Sequence, residues 1–183
     1  MSLFRQLFRQ LLHGPRAIPS PGPDGGALAH LAERLDQQAR VKLGRSLSIR
    51  AVDAGSCNAC ELEIHAVCGP TYDLERFGIH FVASPRHADI LLVTGPLCAN
   101  MSEALRRTYN ATPDPKWVVA MGDCAADGGL FAGGYAVQGG IGEAVPVDLV
   151  IPGCPPTPEA LLSGLLALLE TAGGTVGGKA SRS

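Results

Sequence analysis

The sequence Trp117-Val-Val-Ala-Met-Gly-Asp-Cys124 is the clearest single indication of the fold, because a short apolar run ends at a glycine and a cysteine. Such a run, bounded by turn residues, predicts a β-strand that is buried on both faces. Similar runs predict further strands at 47–52, 79–83, 89–94 and 147–151. Helical patterns at about 60–68, 101–110 and 158–171 alternate with some of them. Together they predict an α/β fold, a parallel sheet covered by helices on both faces.

The composition limits the kind of protein. A length of 183 residues suits one domain with an appendage. The net charge of −2 provides no basic surface, so we expect no nucleic-acid partner. Apolar residues make up 46% and charged residues only 17%, which excludes disorder and indicates a surface covered by partners or a large core. No apolar run approaches the roughly 20 residues of a spanning helix. Arginines at positions 5 and 9 argue against a secretory signal, so we expect a cytosolic chain.

The N-terminal part differs from the rest in pattern. One helical face from residue 3 to residue 12 is apolar: Leu3, Phe4, Leu7, Phe8, Leu11 and Leu12. A proline-rich linker over 15–26 follows, and a second helix is predicted at about 27–43. We therefore predict a helical extension over residues 1–45 outside the core, an α/β domain over 46–172 and a flexible tail over 173–183.

Four of the six cysteines follow predicted strands. Cys57 and Cys60 come after the first strand, Cys124 after the fourth and Cys154 after the fifth. The carboxyl ends of parallel strands open onto one crevice, where such sheets bind ligands. Four thiolates beside glycines and a Cys-Pro sequence suit an iron–sulfur cluster.

Other interpretations of the cysteines stay open at this point. Structural zinc usually takes two compact Cys-x-x-Cys pairs, whereas this chain has one pair and two isolated cysteines. Four unconnected core thiols are a further alternative, and a thioredoxin-like role for the pair would leave Cys124 and Cys154 unexplained. Cys68 and Cys98 are interpreted as buried small hydrophobic residues.

Glycine is concentrated between residues 121 and 142, where eight positions carry it. The pattern indicates either a loose surface loop or a backbone that approaches a cofactor or a partner closely. No Walker lysine motif and no G-x-G-x-x-G sequence follows a strand, so a phosphate site is disfavoured.

Several motifs, in order, resemble one family over residues 46–170. They are Gly55-Ser-Cys-Asn-Ala-Cys60-Glu-Leu-Glu63, Tyr72-Asp-Leu-Glu-Arg-Phe-Gly-Ile79, Ser84-Pro-Arg-His-Ala-Asp89, Val93-Thr-Gly-Pro96, Met121-Gly-Asp-Cys124 and Val147-Asp-Leu-Val-Ile-Pro-Gly-Cys-Pro-Pro-Thr-Pro158. This family comprises the small subunits of membrane-bound, energy-converting [NiFe] hydrogenases and formate hydrogenlyases, together with the homologous 20 kDa subunit of respiratory complex I.

The resemblance implies a flavodoxin-like α/β domain with one [4Fe–4S] cluster on Cys57, Cys60, Cys124 and Cys154. It implies an electron-transferring oxidoreductase subunit that is active only with a hydrogenase-type large subunit. A ferredoxin-like iron–sulfur subunit and membrane-arm subunits would be further partners, on the cytoplasmic side of the cell membrane. The Cys-x-x-Cys spacing resembles the hydrogenases, since the 20 kDa subunit of complex I has adjacent cysteines there. The resemblance does not account for the N-terminal stripe, which we expect to pack on a membrane subunit or, alternatively, to fold back on the large subunit.

Two other positions match the family. Glu63 matches an acidic position near the cluster and is a candidate proton relay, or else an ordinary helix residue. Arg86 matches an arginine near the quinone pocket of the complex I relatives, and we expect it to pair with Asp89 or with the large subunit. The alternatives for the whole chain are a quinone- or ferredoxin-linked complex I-like subunit without nickel and a zinc-stabilised structural subunit.

Overall fold

A five-stranded, all-parallel β-sheet forms the centre of the computed structural model, which describes residues 25–171. Its strands are β1 (Leu47–Asp53), β2 (Ile79–Phe81), β3 (Ile90–Thr94), β5 (Trp117–Met121) and β7 (Leu149–Ile151), in the spatial order β2-β1-β3-β5-β7. Short strands β4 (Leu97–Cys98) and β6 (Val137–Gly139) form a separate antiparallel pair. Without that pair, the order is the doubly wound order of flavodoxin-like folds. The predicted fold class is confirmed.

Five α-helices surround the sheet within the described residues. They are α1 (Gly25–Leu43), α2 (Ala59–Cys68), α3 (Ala99–Ala111), α4 (Asp123–Asp127) and α5 (Pro158–Thr171). One face of the sheet packs with α1, α2 and α5 in a single apolar cluster. The other face packs with α3 and with residues 141–147 in a second cluster. Alternate side chains of each strand enter the two clusters, as Leu91 and Leu92 of β3 do, because side chains alternate across a sheet.

Helix α1 belongs to the core, although we predicted a helical extension outside it. Leu35 and Ala39 of its apolar stripe are fully buried. Arg34 of α1 also donates to the Glu170 carboxylate of α5 across 2.8 Å. The reason is the spacing of the stripe, which provides a full apolar face for α5 and the sheet. The predicted stripe at 3–12, the linker up to residue 24 and the tail at 173–183 lie outside the described residues, so the division of the whole chain stays a prediction.

Helix α5 approaches the last strand closely at a glycine. A side chain's first carbon at Gly164 would lie 2.9 Å from Cγ1 and Cδ1 of Ile151, the last residue of β7.

No helix between residues 25 and 171 is both long enough and apolar enough to cross a membrane.

The amino-terminal edge of the sheet is held by a buried carboxylate. Asp89 accepts hydrogen bonds from Arg45 Nη2 at 2.6 Å, Arg45 Nη1 at 3.1 Å and the Ser48 N–H at 3.0 Å. Burial raises the pKa of Asp89, and the Ser48 N–H and Arg45 offset part of that rise. Of the two partners expected for Arg86, Asp89 is wrong, because Arg45 holds that carboxylate and Arg86 lies exposed in a 3-10 turn. The pairing of Arg86 with the large subunit stays a prediction.

Candidate metal centre

The strands that precede the four cysteines end at one level. In the register of the sheet, Asp53 of β1 lies beside Thr94 of β3, Thr94 beside Met121 of β5, and Met121 beside Ile151 of β7. A cysteine follows the last residue of β1, β5 and β7 after three or four positions: Cys57, Cys124 and Cys154, respectively. The level strand ends therefore bring three separate loops to the same edge of the sheet.

The four thiols are close enough to interact electrostatically. Burial raises the pKa of Cys60 to about 12, and the charges of Glu61, Cys57, Cys124 and Cys154 add to the rise. The pKa of Cys124 is also raised by burial and by Cys154, whereas a hydrogen bond from the Leu130 N–H lowers it. Groups that carry negative charge when ionised therefore gather at this edge, which is the arrangement that a cationic metal group stabilises.

Burial divides the four cysteines into two pairs. Cys60 and Cys124 are buried, and the thiol of Cys60 lies 3.8 Å from the Met121 carbonyl oxygen. Cys57 and Cys154 are exposed. The set therefore has one side within the domain and one side at the surface.

Two glycines make room around the buried thiols. A first side-chain carbon at Gly122 would lie 2.9 Å from the Cys60 sulfur and 3.2 Å from the Gly153 carbonyl oxygen. At Gly129 it would lie 3.0 Å from the Cys124 sulfur. The interpretation of the glycine-rich segment as closely approaching backbone fits these two positions, whereas Gly133 and Gly142 have no atom within 4 Å of such a carbon.

The loop that carries Cys57 and Cys60 is fixed by side chains at the strand ends. The Asp53 carboxylate accepts from the N–H groups of Gly55 and Ser56, each at 2.7 Å. Thr94 donates its hydroxyl hydrogen to the Glu61 carboxylate in a short hydrogen bond. These contacts attach the loop and the first turn of α2 to β1 and β3.

A reciprocal pair of hydrogen bonds joins the other two loops. The Asp123 N–H donates to the Gly153 carbonyl oxygen at 3.0 Å, and the Gly153 N–H donates to Asp123 Oδ1 at 2.8 Å. Asp123 directly precedes Cys124 and Gly153 directly precedes Cys154. The pair therefore lies immediately beside both cysteines.

The other two cysteines lie elsewhere. Cys68, at the end of α2, is exposed, so the prediction that it is buried is wrong: the helix ends there with that side facing outward. Cys98 is half-buried, and a side chain at Gly55 would overlap its sulfur. Neither of them contributes to the pKa rise of Cys60.

Residues 57–168 match the family described as the 20 kDa subunit of NADH–ubiquinone oxidoreductase. The chain belongs to this family. As a member of the 20 kDa subunit family, it is an oxidoreductase subunit, and the recognised resemblance is confirmed.

Individual relatives carry related names. A probable membrane-bound hydrogenase subunit of Pyrococcus furiosus is 46% identical over 140 residues, which are 76% of this chain and 83% of that protein. Formate hydrogenlyase subunit 7 of Escherichia coli is 46% identical over 165 residues, or 87% of this chain. The chain spans only 63% of the length of that relative.

A solved structure shares the fold. It is the membrane-bound sulfane sulfur reductase, an archaeal respiratory membrane complex. One of its chains aligns with a TM-score of 0.64 and 35% identity, covering 79% of this chain and 78% of its own length.

The donor set of this chain fits an iron–sulfur cluster. Within residues 25–171, no three cysteine, histidine or acidic side chains are grouped tightly enough to hold a single metal ion. A cubane binds each of four thiolates at a different iron, so its ligands surround a group and do not meet at one point. The thiols of Cys57, Cys124 and Cys154 lie around that of Cys60, and the backbone of Gly122 and Gly129 approaches the two buried sulfur atoms, which fits that requirement.

The structure also indicates residues that sequence reasoning missed. Glu63 lies half-buried on α2, and its predicted relay role stays a prediction. Glu61 and Asp123, in contrast, make the hydrogen bonds that join the loops. The sequence does mark Asp123 as an acidic residue directly before a cysteine. It does not indicate the hydrogen-bond partner of Asp123, because Gly153 is 30 residues away.

Proposed function

We propose that this chain holds one [4Fe–4S] cluster through Cys57, Cys60, Cys124 and Cys154 and transfers electrons to or from the active site of a partner subunit. The observation that carries the proposal is the common level at which β1, β5 and β7 end, since it directs all four cysteines to one edge. A cubane cluster, when bound, accepts and donates single electrons. The division into an N-terminal segment, a cluster-bearing domain and a tail is part of the same proposal, with α1 joined to the domain.

The chain's own residues would give the site its environment. Cys60 and Cys124 hold the inner side away from solvent. The Leu130 N–H hydrogen-bonds the sulfur of Cys124, and amide groups directed at ligand sulfur tune reduction potentials. Cys57 and Cys154 leave the outer side at the surface, where another subunit could approach closely.

The surface beside Cys124 favours a partner at this edge. The segment that follows α4 exposes large apolar side chains, since Leu130 is 87% exposed and Tyr135 is fully exposed. Apolar side chains grouped beside a site are typical of surfaces that another protein covers. We infer that a hydrogenase-type large subunit covers this edge.

We further infer a membrane-associated [NiFe] hydrogenase-type complex on the cytoplasmic side of the membrane. The Cys-x-x-Cys spacing of Cys57 and Cys60 supports the hydrogenase type, as do the names of the Pyrococcus furiosus and Escherichia coli relatives. A ferredoxin-like iron–sulfur subunit and membrane-arm subunits would complete the path of the electrons.

A nickel-free complex is the second candidate. The likeness to a chain of sulfane sulfur reductase and the name of the matched family favour it. The sequence of the large subunit encoded with this chain separates the two candidates, because two Cys-x-x-Cys pairs there would hold nickel.

Spectroscopy of the complex tests the cluster. We expect the reduced complex to give an electron paramagnetic resonance signal that is lost or altered when any of the four cysteines is replaced by serine. Cys68→Ser is the matched control, because Cys68 is an exposed cysteine on α2, the helix that also carries Cys60. Zinc without iron in the purified chain, or an unchanged signal in Cys154→Ser, would contradict the proposal.

A further inference from the structure

The sheet restrains the loops before Cys124 and Cys154 only as far as its last hydrogen bond. The last ladder hydrogen bond between them runs from the Gly122 N–H to the Ile151 carbonyl oxygen at 2.8 Å, and the sheet ends there. Beyond it, Gly153 has a φ of +135°, a conformation that only glycine adopts readily. The Asp123 side chain accepts from the Gly153 N–H in this irregular backbone.

The Asp123–Gly153 pair continues the connection past the end of the sheet. Its two hydrogen bonds, one in each direction, restrain both the distance between the loops and their twist. The next residue in each loop is a proposed ligand, Cys124 after Asp123 and Cys154 after Gly153. A movement of either loop would therefore move a sulfur.

We propose that Asp123 is a positioning residue that sets the separation of Cys124 and Cys154. This inference rests on the proposed function, since it concerns the ligands of the proposed cluster. Asp123 acts through the Gly153 N–H and through its own N–H, and it does not itself bind iron. Residues that orient metal ligands in this way commonly change metal retention about 10- to 100-fold when they are replaced.

Asp123 also brings a negative charge close to Cys124. Its hydrogen-bond role and its charge are separable, because asparagine keeps the Oδ1 acceptor and removes the charge. Asp123→Asn should therefore retain the cluster and raise its midpoint potential, since reduction adds an electron beside one negative charge fewer. Asp123→Ala removes both features.

The same sheet provides a matched control at its opposite edge. The Asp148 N–H donates to the Val118 carbonyl oxygen at 2.9 Å, and the Val118 N–H donates to Asp148 Oδ2 at 2.9 Å. This second reciprocal pair also joins the β5 and β7 segments, but at the amino-terminal edge, away from the cysteines. Asp148→Ala therefore removes an equivalent hydrogen bond between the same two segments.

The test uses the full chain in the complex with its natural partner subunits. We would measure the rate at which an iron chelator bleaches the cluster, the resonance signal and the midpoint potential. We expect Asp123→Ala to lose the cluster about tenfold faster, with an altered signal. Asp123→Asn should bleach at the wild-type rate with a raised potential, and Asp148→Ala should match the wild type in all three measurements.

Other results would overturn the inference. Bleaching of Asp123→Ala at the wild-type rate would show that the hydrogen bond does not hold the ligands. Equally fast bleaching of Asp148→Ala would show a general effect of the β5–β7 connection. Should Asp123→Ala fail to accumulate, Asp123→Asn decides, because tenfold faster bleaching of that variant contradicts a role for the retained acceptor. A cluster that persists in Cys154→Ser would instead refute the proposed function.

Discussion

The two edges of the central sheet satisfy their polar groups in different ways. At the amino-terminal edge, the buried Asp89 carboxylate has Arg45 and the Ser48 N–H as partners within the chain. At the carboxyl-terminal edge, Cys57, Cys124 and Cys154 add to the rise in the pKa of Cys60, and Glu61 Oε2 is buried without a hydrogen-bond partner among the described residues. The Asp89 carboxylate is therefore satisfied within the chain, whereas a positively charged group would stabilise the ionised thiols at the second edge.

This difference separates stability from function within one small sheet. Residues at the amino-terminal edge should contribute mainly to the free energy of unfolding. Residues at the carboxyl-terminal edge should mainly determine what is bound there, since irregular loops at that edge carry the ligands of doubly wound folds. The following substitutions test the separation.

The largest effect is expected for Gly122→Ala at the carboxyl-terminal edge. Its φ of +90° disfavours a side chain, and the added carbon would lie 2.9 Å from the Cys60 sulfur. We expect a loss of about 2–3 kcal/mol in the free energy of unfolding of the chain, measured in urea. Most of the cluster signal should be lost as well.

Gly142→Ala is the matched control, because nothing lies within 4 Å of the added carbon and its φ is ordinary. It should leave both measurements unchanged. A normal cluster signal in Gly122→Ala would show that this edge tolerates bulk beside its thiols, and the proposed distinction between the edges would fail.

A smaller effect, on stability alone, is expected for Asp89→Ala at the amino-terminal edge. The substitution leaves the Ser48 N–H without its side-chain acceptor and removes the partner of Arg45. We expect a loss of about 2 kcal/mol in urea unfolding with an unchanged resonance signal. Glu103→Ala, which removes an exposed ion pair with Arg107, should cost less than about 0.5 kcal/mol. A changed cluster signal in Asp89→Ala would show that the two edges are coupled, and it would contradict their proposed separation.

The smallest effect concerns the pH dependence of the same carboxylate. Because burial raises the pKa of Asp89, the native chain holds this proton more tightly than the unfolded chain does. The stability that wild type has over Asp89→Asn should therefore fall as the pH rises from about 4 toward neutrality. Urea unfolding of both proteins at several pH values measures the difference. An increase with pH would mean that Arg45 outweighs burial.

Much of this architecture follows from local sequence. Apolar runs such as Trp117–Met121 predict strands buried on both faces, and Thr157 with Pro158 predicts the start of α5, where the Ala160 N–H hydrogen-bonds the Thr157 hydroxyl. Cysteines placed directly after strands predict a common edge, because parallel strands end on the same side. These predictions depend on neighbours in the chain.

The parts that were missed depend on distant neighbours. Helix α1 has a visible apolar stripe, but the helix that it covers, α5, lies more than a hundred residues later. The partner of Asp89 is Arg45 and not the nearby Arg86, because Arg45 reaches the buried carboxylate from the segment before β1. The strand pair β4–β6 joins segments about 40 residues apart through hydrogen bonds that leave no periodic pattern. Such pairings are settled by the three-dimensional packing.

The close contact between Gly164 and Ile151 has a consequence for the variation that this chain tolerates. A glycine within a helix makes the helix less stable by about 1 kcal/mol than alanine would. Here the missing side chain lets α5 lie against the end of β7, two residues before Gly153 and three before Cys154. Substitutions that improve helix α5 in isolation would thus press on the side chain of Ile151, at the end of the strand from which a ligand loop departs. Helix propensity favours a residue with a side chain at position 164, whereas the close approach of α5 to β7 favours glycine. Glycine at this position keeps the close approach at the expense of helix propensity.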